Sequence, residues 1–92
     1  MIRRRLVITG KVQNVFYRAW LAEQAASLGL DGWVRNRADG SVEAVVAGAP
    51  EMVEAIIVRA REGSPASRVA EVTASDDAPA ERLEGFAQRP TL

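Results

Sequence analysis

The stretch DGWVRNRADGSVEAVVAG, residues 31 to 48, is where the fold is decided. Two strand-like runs, DGWVRNRA and SVEAVVAG, flank the pair Asp39-Gly40. Both residues tolerate positive φ, so the pair is a strong short-range hairpin signal. A hairpin in mid-chain leaves room for one further unit on each side.

Upstream, Arg4 to Gly10 is rich in apolar and β-branched residues and reads as a strand, with residues 11 to 16 as a loop. From Tyr17 the pattern turns helical: Tyr17, Leu21, Ala25 and Leu28 form one stripe at the 3.6-residue period, and Gly29 stands at C′. Downstream, Pro50 suits the first turn of a second helix carried by Met52, Val53, Ile56, Ile57 and Ala60, with Gly63 as its stop. SPAS is a connector, RVAEVTASD alternates as a strand, and RLEGFAQRP can form a short edge strand closed by Pro90. The order β-α-β-β-α-β, with an optional fifth C-terminal strand, predicts an α+β fold. It is the ferredoxin-like arrangement, an antiparallel sheet with two helices on one face.

Composition narrows the function. Twelve Lys and Arg balance twelve Asp and Glu, so the net charge is zero, which speaks against nucleic acid or an anionic membrane as partner. There is no Cys and no His, which removes disulfides, thiol nucleophiles and the commonest general base and metal ligand. No apolar run approaches a membrane span, and MIRRRLVITG lacks a cleavage-like segment. The expectation is a single domain over residues 1–92, cytoplasmic and monomeric.

The chemistry concentrates in GKVQNVFYRAW, residues 10 to 20. A strand that runs through a tight loop into a helix gathers backbone N–H groups around one point. The first helical turn leaves such groups without partners, and successive amides in a curved loop form an anion nest. Gly10 and Asn14 permit the φ values such a curve needs. Arg18 gains nothing from the helix dipole at this end, but it adds a planar fork suited to phosphate oxygens. The bland alternative is a surface arginine with its stem packed on Tyr17 or Leu21.

GKVQNVFYR followed by GLDGWVRNRADGSVEAVV resembles the acylphosphatase family, with its G-x-V-Q-G-V-x-[FY]-R loop and its G-W-V-x-N-x-x-D-G-x-V segment. The closing GFAQR is similar to the family's end. The resemblance covers nearly the whole chain and implies a ferredoxin-like acylphosphatase-like domain. It implies that Arg18 binds the substrate phosphoryl group together with the backbone amides of Gln13, Asn14, Val15, Phe16, Tyr17 and Arg18. It also implies that Asn36 positions the attacking water. Strand alternation places Asn36 on the face of Val34, opposite Trp33 and Arg35. One position departs from the pattern: Asn14 stands where the family carries Gly.

The implied substrate is a small-molecule acyl phosphate, with inorganic phosphate as product and inhibitor, and no metal or cofactor. A carboxylate leaving group needs no proton, which suits a chain without His. Loose phosphoryl-transfer transition states need positioning and charge more than covalent work. Two other readings use the same pattern. One is a non-catalytic phosphate or anion-binding module. The other is an RNA-binding βαββαβ domain, disfavoured because RRLVITG and SVEAVVAG carry no aromatics for base stacking. Glu23, Asp31, Asp39, Glu43 and Glu51 read as solvated faces and turns, Trp33 as structural, and Trp20 as packing in preference to a pocket rim.

Overall fold

The computed structural model describes residues 1–91. The chain forms β1 (Ile2–Lys11), α1 (Tyr17–Ser27), β2 (Asp31–Asn36), β3 (Val42–Gly48), α2 (Pro50–Glu62), β4 (Arg68–Ser75) and β5 (Phe86–Gln88). The five strands make one sheet in the order β4-β1-β3-β2-β5. The first four strands pair antiparallel, whereas β5 joins β2 in parallel, with Gly32 opposite Phe86 and Val34 opposite Gln88. The fifth strand is thus present, but far shorter than RLEGFAQRP suggests.

Both helices lie on one face. Leu6 and Ile8 of β1, Val34 of β2, and Val42, Ala44 and Val46 of β3 are fully buried with Tyr17, Leu21 and Ala25 of α1 and Val53, Ile56 and Ala60 of α2. Burying each large side chain of this set contributes about 1.5–3 kcal/mol, the main favourable term in the fold. The helical stripes sit where the periodicity places them, with one correction: Met52 is exposed, because it lies one step off the Val53, Ile56, Ile57 and Ala60 face. The Tyr17 hydroxyl donates to the Ala60 carbonyl at 2.9 Å and so links the two helices, while burial pushes its pKa up. Trp20 packs half-buried against the core with its ring 5.3 Å from that of Tyr17, in line with the packing reading.

The outer face of the sheet carries charged side chains among buried apolar ones, Trp33, Val45 and Ala47. Glu43 is 5% exposed and accepts from Arg5 Nε at 2.6 Å and from Arg35 Nε at 2.7 Å. It is therefore not a solvated carboxylate, contrary to its reading from sequence. It is central on the sheet and two flanking strands supply its counterions. Trp33, 2% exposed, has the guanidinium groups of Arg35 and Arg89 over its ring, each with its Cζ 4.7 Å from the ring centroid. Arg3 of β1 donates to the carbonyl oxygens of Pro79 and Glu81 and so draws the β4–β5 segment over this face.

Candidate active site

Gly10 begins the site. A β-bulge shifts the register of β1 and β4 between Thr9 and Gly10, and Gly10 takes φ +113°. A Cβ there would stand 2.2 Å from the Arg68 carbonyl oxygen, so no side chain fits. The loop that follows is anchored by Val12, which is 1% exposed. Asn14 and Phe16 both adopt left-handed φ, 60° and 61°, with Val15 between them on the other hand. Such alternation turns successive amides toward one side, the geometry of an anion-binding nest. Among the described residues, the backbone N–H groups of residues 13 to 19 find no acceptor within the protein.

Asn14 was anticipated as a left-handed residue; Phe16 was not. Phe16 is the N-cap of α1, makes no side-chain cap, and is 86% exposed. A non-glycine residue held this way costs on the order of 1 kcal/mol or more. No burial of the ring offsets that.

Arg18 follows in the first helical turn, where there is no acidic residue. Its Nη1 donates to the Arg89 carbonyl at 3.1 Å, just past the end of β5. Among the described residues it has no carboxylate partner. Asn36 arrives from the opposite direction as the last residue of β2, paired with Val42. Its Oδ1 is buried and has no hydrogen-bond donor among the described residues. A buried acceptor left open in this way is costly unless something outside the protein fills it.

The side chain of Gln13 ties the two halves together. Its Nε2 donates to the carbonyl oxygens of Arg37 at 2.7 Å and Ser41 at 2.8 Å. These two residues close the β2–β3 turn, where the Arg37 amide donates to Ser41 at 2.8 Å and the Gly40 amide to Arg37 at 3.1 Å. The turn is a three-residue connection and not a two-residue one: Gly40 takes φ +93°, while Asp39 stays out of the left-handed region. Asp39 instead accepts from the hydroxyl and the amide of Ser41, at 2.6 and 2.9 Å. The hydroxyl bond first, and then the amide, hold its carboxyl below the usual range.

These parts enclose a cleft of about 410 Å³. Asn14, Arg18, Asn36 and Gln88 form its polar lining, and Val12, Phe16, Tyr17 and Ala19 the rest. Arg18 is the only ionised side chain in that lining. The structure thus brings Arg18 and Asn36 to one cavity, together with Asn14, Phe16 and Tyr17. Gln13 and Val15 do not line it, and Gln13 turns its side chain to the hairpin instead. Gln88 was missed, and the only hint was its place in the closing GFAQR. A larger hollow of about 490 Å³ lies beside Gly32, Arg82 and Arg89, but it holds neither the loop amides nor an orphaned acceptor. Among the described residues no three His, Cys, Asp or Glu side chains gather as a metal site would require, and no helix is long and apolar enough to cross a membrane.

Comparison with known proteins points the same way. The acylphosphatase family model matches residues 4–88. An acylphosphatase from Rhizorhabdus wittichii is 59% identical over 91 residues, spanning 99% of this chain and 91% of that protein. One from Acidovorax is 50% identical, spanning 99% and 93%. The crystal structure of the Bacillus subtilis acylphosphatase superposes with a TM-score of 0.91 at 29% identity, covering 97% of this chain and 99% of that one. The ferredoxin-like sheet, its two helices and the loop before α1 are those of a known group, and this chain belongs to the acylphosphatase family.

Proposed function

We propose that this protein hydrolyses acyl phosphates to a carboxylate and inorganic phosphate. The phosphoryl group sits in the nest of residues 13 to 18 with its charge met by Arg18. Water held by Asn36 attacks phosphorus in line. The bond between phosphorus and the acyl oxygen breaks, the carboxylate leaves without needing a proton, and the water proton passes to a phosphoryl oxygen. Amides and a guanidinium fixed in advance stabilise the spreading charge, which is the larger part of the work in a loose transition state. Arg18 meets the charge that a cation would otherwise neutralise.

The observation that carries this reading is the pairing, in one cleft, of an arginine and a buried Asn36 Oδ1 that have, among the described residues, no carboxylate partner and no donor respectively. The first suits an anion and the second suits the hydrogen of a water molecule. The test is hydrolysis of benzoyl phosphate in the presence of EDTA, with inorganic phosphate as competitive inhibitor. Turnover under these conditions is the expected result; dependence on added metal would overturn the mechanism.

Asn14 motivates a second reading. It lines the cleft and puts a side chain where the family loop carries Gly. If that side chain crowds the nest, the site holds phosphate without turnover. Phosphate binding in an inactive wild type, with activity appearing in Asn14→Gly, would select this alternative.

A further inference from the structure

Among the described residues, Arg18 is aimed by one backbone carbonyl, that of Arg89. Two anchors hold that carbonyl, one within the sheet and one on its outer face. The Arg89 amide donates to the Val34 carbonyl at 2.8 Å, which continues the short β2–β5 ladder by one bond. Three paired residues at the end of a strand are a weak anchor, because terminal ladder bonds fray. The Arg89 side chain adds a second anchor. It meets Glu81 bidentately, Nη1 to Oε1 at 3.1 Å and Nη2 to Oε2 at 2.9 Å. Its guanidinium also lies over the Trp33 ring. Glu81 is fixed in turn by the Trp33 indole N–H at 2.8 Å and by Arg3, which donates to its backbone carbonyl at 2.7 Å.

We infer that Glu81, acting through Arg89 and Trp33, is a positioning residue for Arg18. The clamp ties the chain just past β5 to the outer face, so that the Arg89 carbonyl presents a fixed acceptor to the guanidinium on the cleft side. Glu81 touches neither the cleft nor Arg18. Its effect is on where the phosphate-binding fork points. The inference rests on the role of Arg18 proposed above. Glu81 and Arg89 are both partly exposed, so the clamp is of the modest, bidentate kind, reinforced by stacking on an aromatic ring.

The experiment compares Glu81→Ala, Glu81→Gln and Trp33→Phe with Arg5→Ala, well below each melting temperature. Arg5→Ala breaks the Arg5–Glu43 pair on the same face but leaves Glu43 its second partner, Arg35, and so leaves the contacts of Trp33, Arg89 and Glu81 in place. The readouts are kcat and KM for benzoyl phosphate, the inhibition constant of inorganic phosphate, and phosphate affinity by calorimetry. Glu81→Ala is expected to weaken phosphate binding and lower kcat/KM by roughly three- to tenfold, the scale of a lost partly exposed clamp. Glu81→Gln and Trp33→Phe, which keep part of the network, should shift both constants less and in the same direction. Arg5→Ala should melt lower, because Glu43 loses one of its two counterions, yet keep both constants within about twofold, because Arg89 and Glu81 keep their own contacts. Wild-type constants in all three clamp variants would overturn the inference. So would an Arg5→Ala effect equal to that of Glu81→Ala, which would mean general loosening. If Arg18→Ala loses phosphate binding while the clamp variants behave as wild type, only the clamp fails. If wild-type protein neither binds phosphate nor turns over, the site reading fails and the clamp with it.

Discussion

The side-chain amide of Gln13 donates to the Arg37 carbonyl at 2.7 Å, so the loop before α1 and the strand end that carries Asn36 are held as one piece. Gln13→Ala removes this bond and its companion to Ser41. Two bonds to otherwise unpaired carbonyl lone pairs are worth about 1–3 kcal/mol together. The expected outcome is a lower melting temperature and a fall in kcat of about tenfold, because small misplacements of reacting groups are amplified in rate. Thermal melts and steady-state kinetics on one preparation check both. Gln13→Glu should be worse than Ala, since a carboxylate would face two carbonyl oxygens.

Arg18 and Asn36 should separate kinetically. Arg18→Ala should lose phosphate inhibition and nearly all turnover. Arg18→Lys should recover part of the binding, having charge without the planar fork. Asn36→Ala should lower kcat by roughly a hundredfold or more while leaving phosphate inhibition near wild type. Weakened phosphate inhibition in Asn36→Ala would mean that Asn36 holds the phosphoryl group and not the water.

The two left-handed loop residues make opposite demands on substitution. Phe16→Gly removes little buried area, since the ring is exposed, and releases a backbone cost of about 1–2 kcal/mol. Greater freedom of the unfolded chain offsets part of that. Stability should therefore be unchanged or slightly raised. Phe16→Val should destabilise by about 1–2 kcal/mol and weaken phosphate binding, because a β-branched residue resists positive φ. Asn14→Gly should be at least as active as wild type. Chemical denaturation with matched phosphate titrations gives both quantities.

Glu43 sets a pH limit on the fold. Burial pushes its carboxyl pKa up, but hydrogen bonds from Arg35 and Arg5 outweigh burial and leave it below the ordinary 4.5. A carboxyl depressed in the folded state lends stability that is fully present above the unfolded value. That stability is lost as pH falls through the folded value. Melting temperature should thus drop as the solution is taken from about pH 5 downward. Glu43→Gln should flatten that drop and lower stability at neutral pH by roughly 2 kcal/mol, the two arginines having some access to water.

Much of this molecule can be read from local pattern. Tyr17, Leu21 and Ala25 are buried at the period that marks α1, and Gly29 and Gly63 stand where the helices end. Arg18 reads as an anion clamp from its place after the loop, Asn36 is singled out only by the family resemblance, and the two meet in one cleft. What escaped depends on partners far along the chain. Glu43 alternates outward and so reads as solvated; only the arginines brought by β1 and β2 reveal its burial. Phe16 carries no sign of positive φ, because aromatic residues seldom adopt it and the surrounding loop imposes it. The clamp of Glu81 on Trp33 joins a strand to a segment without periodicity, and no local rule foretells it.

The interior place of β1, between β4 and β3, bears on how the enzyme comes into being. Leu6 must find Ala44 on one side and Ala74 on the other before the first strand is fully flanked. Pairings so distant along the chain make for slow assembly. A ribosome-tethered fragment that ends before residue 68 would leave Gly10 without the neighbour that shapes its bulge. If the loop grips an oxyanion as proposed, that capacity should emerge late, in the same cooperative step that docks the fourth strand, and not beforehand in a half-made chain.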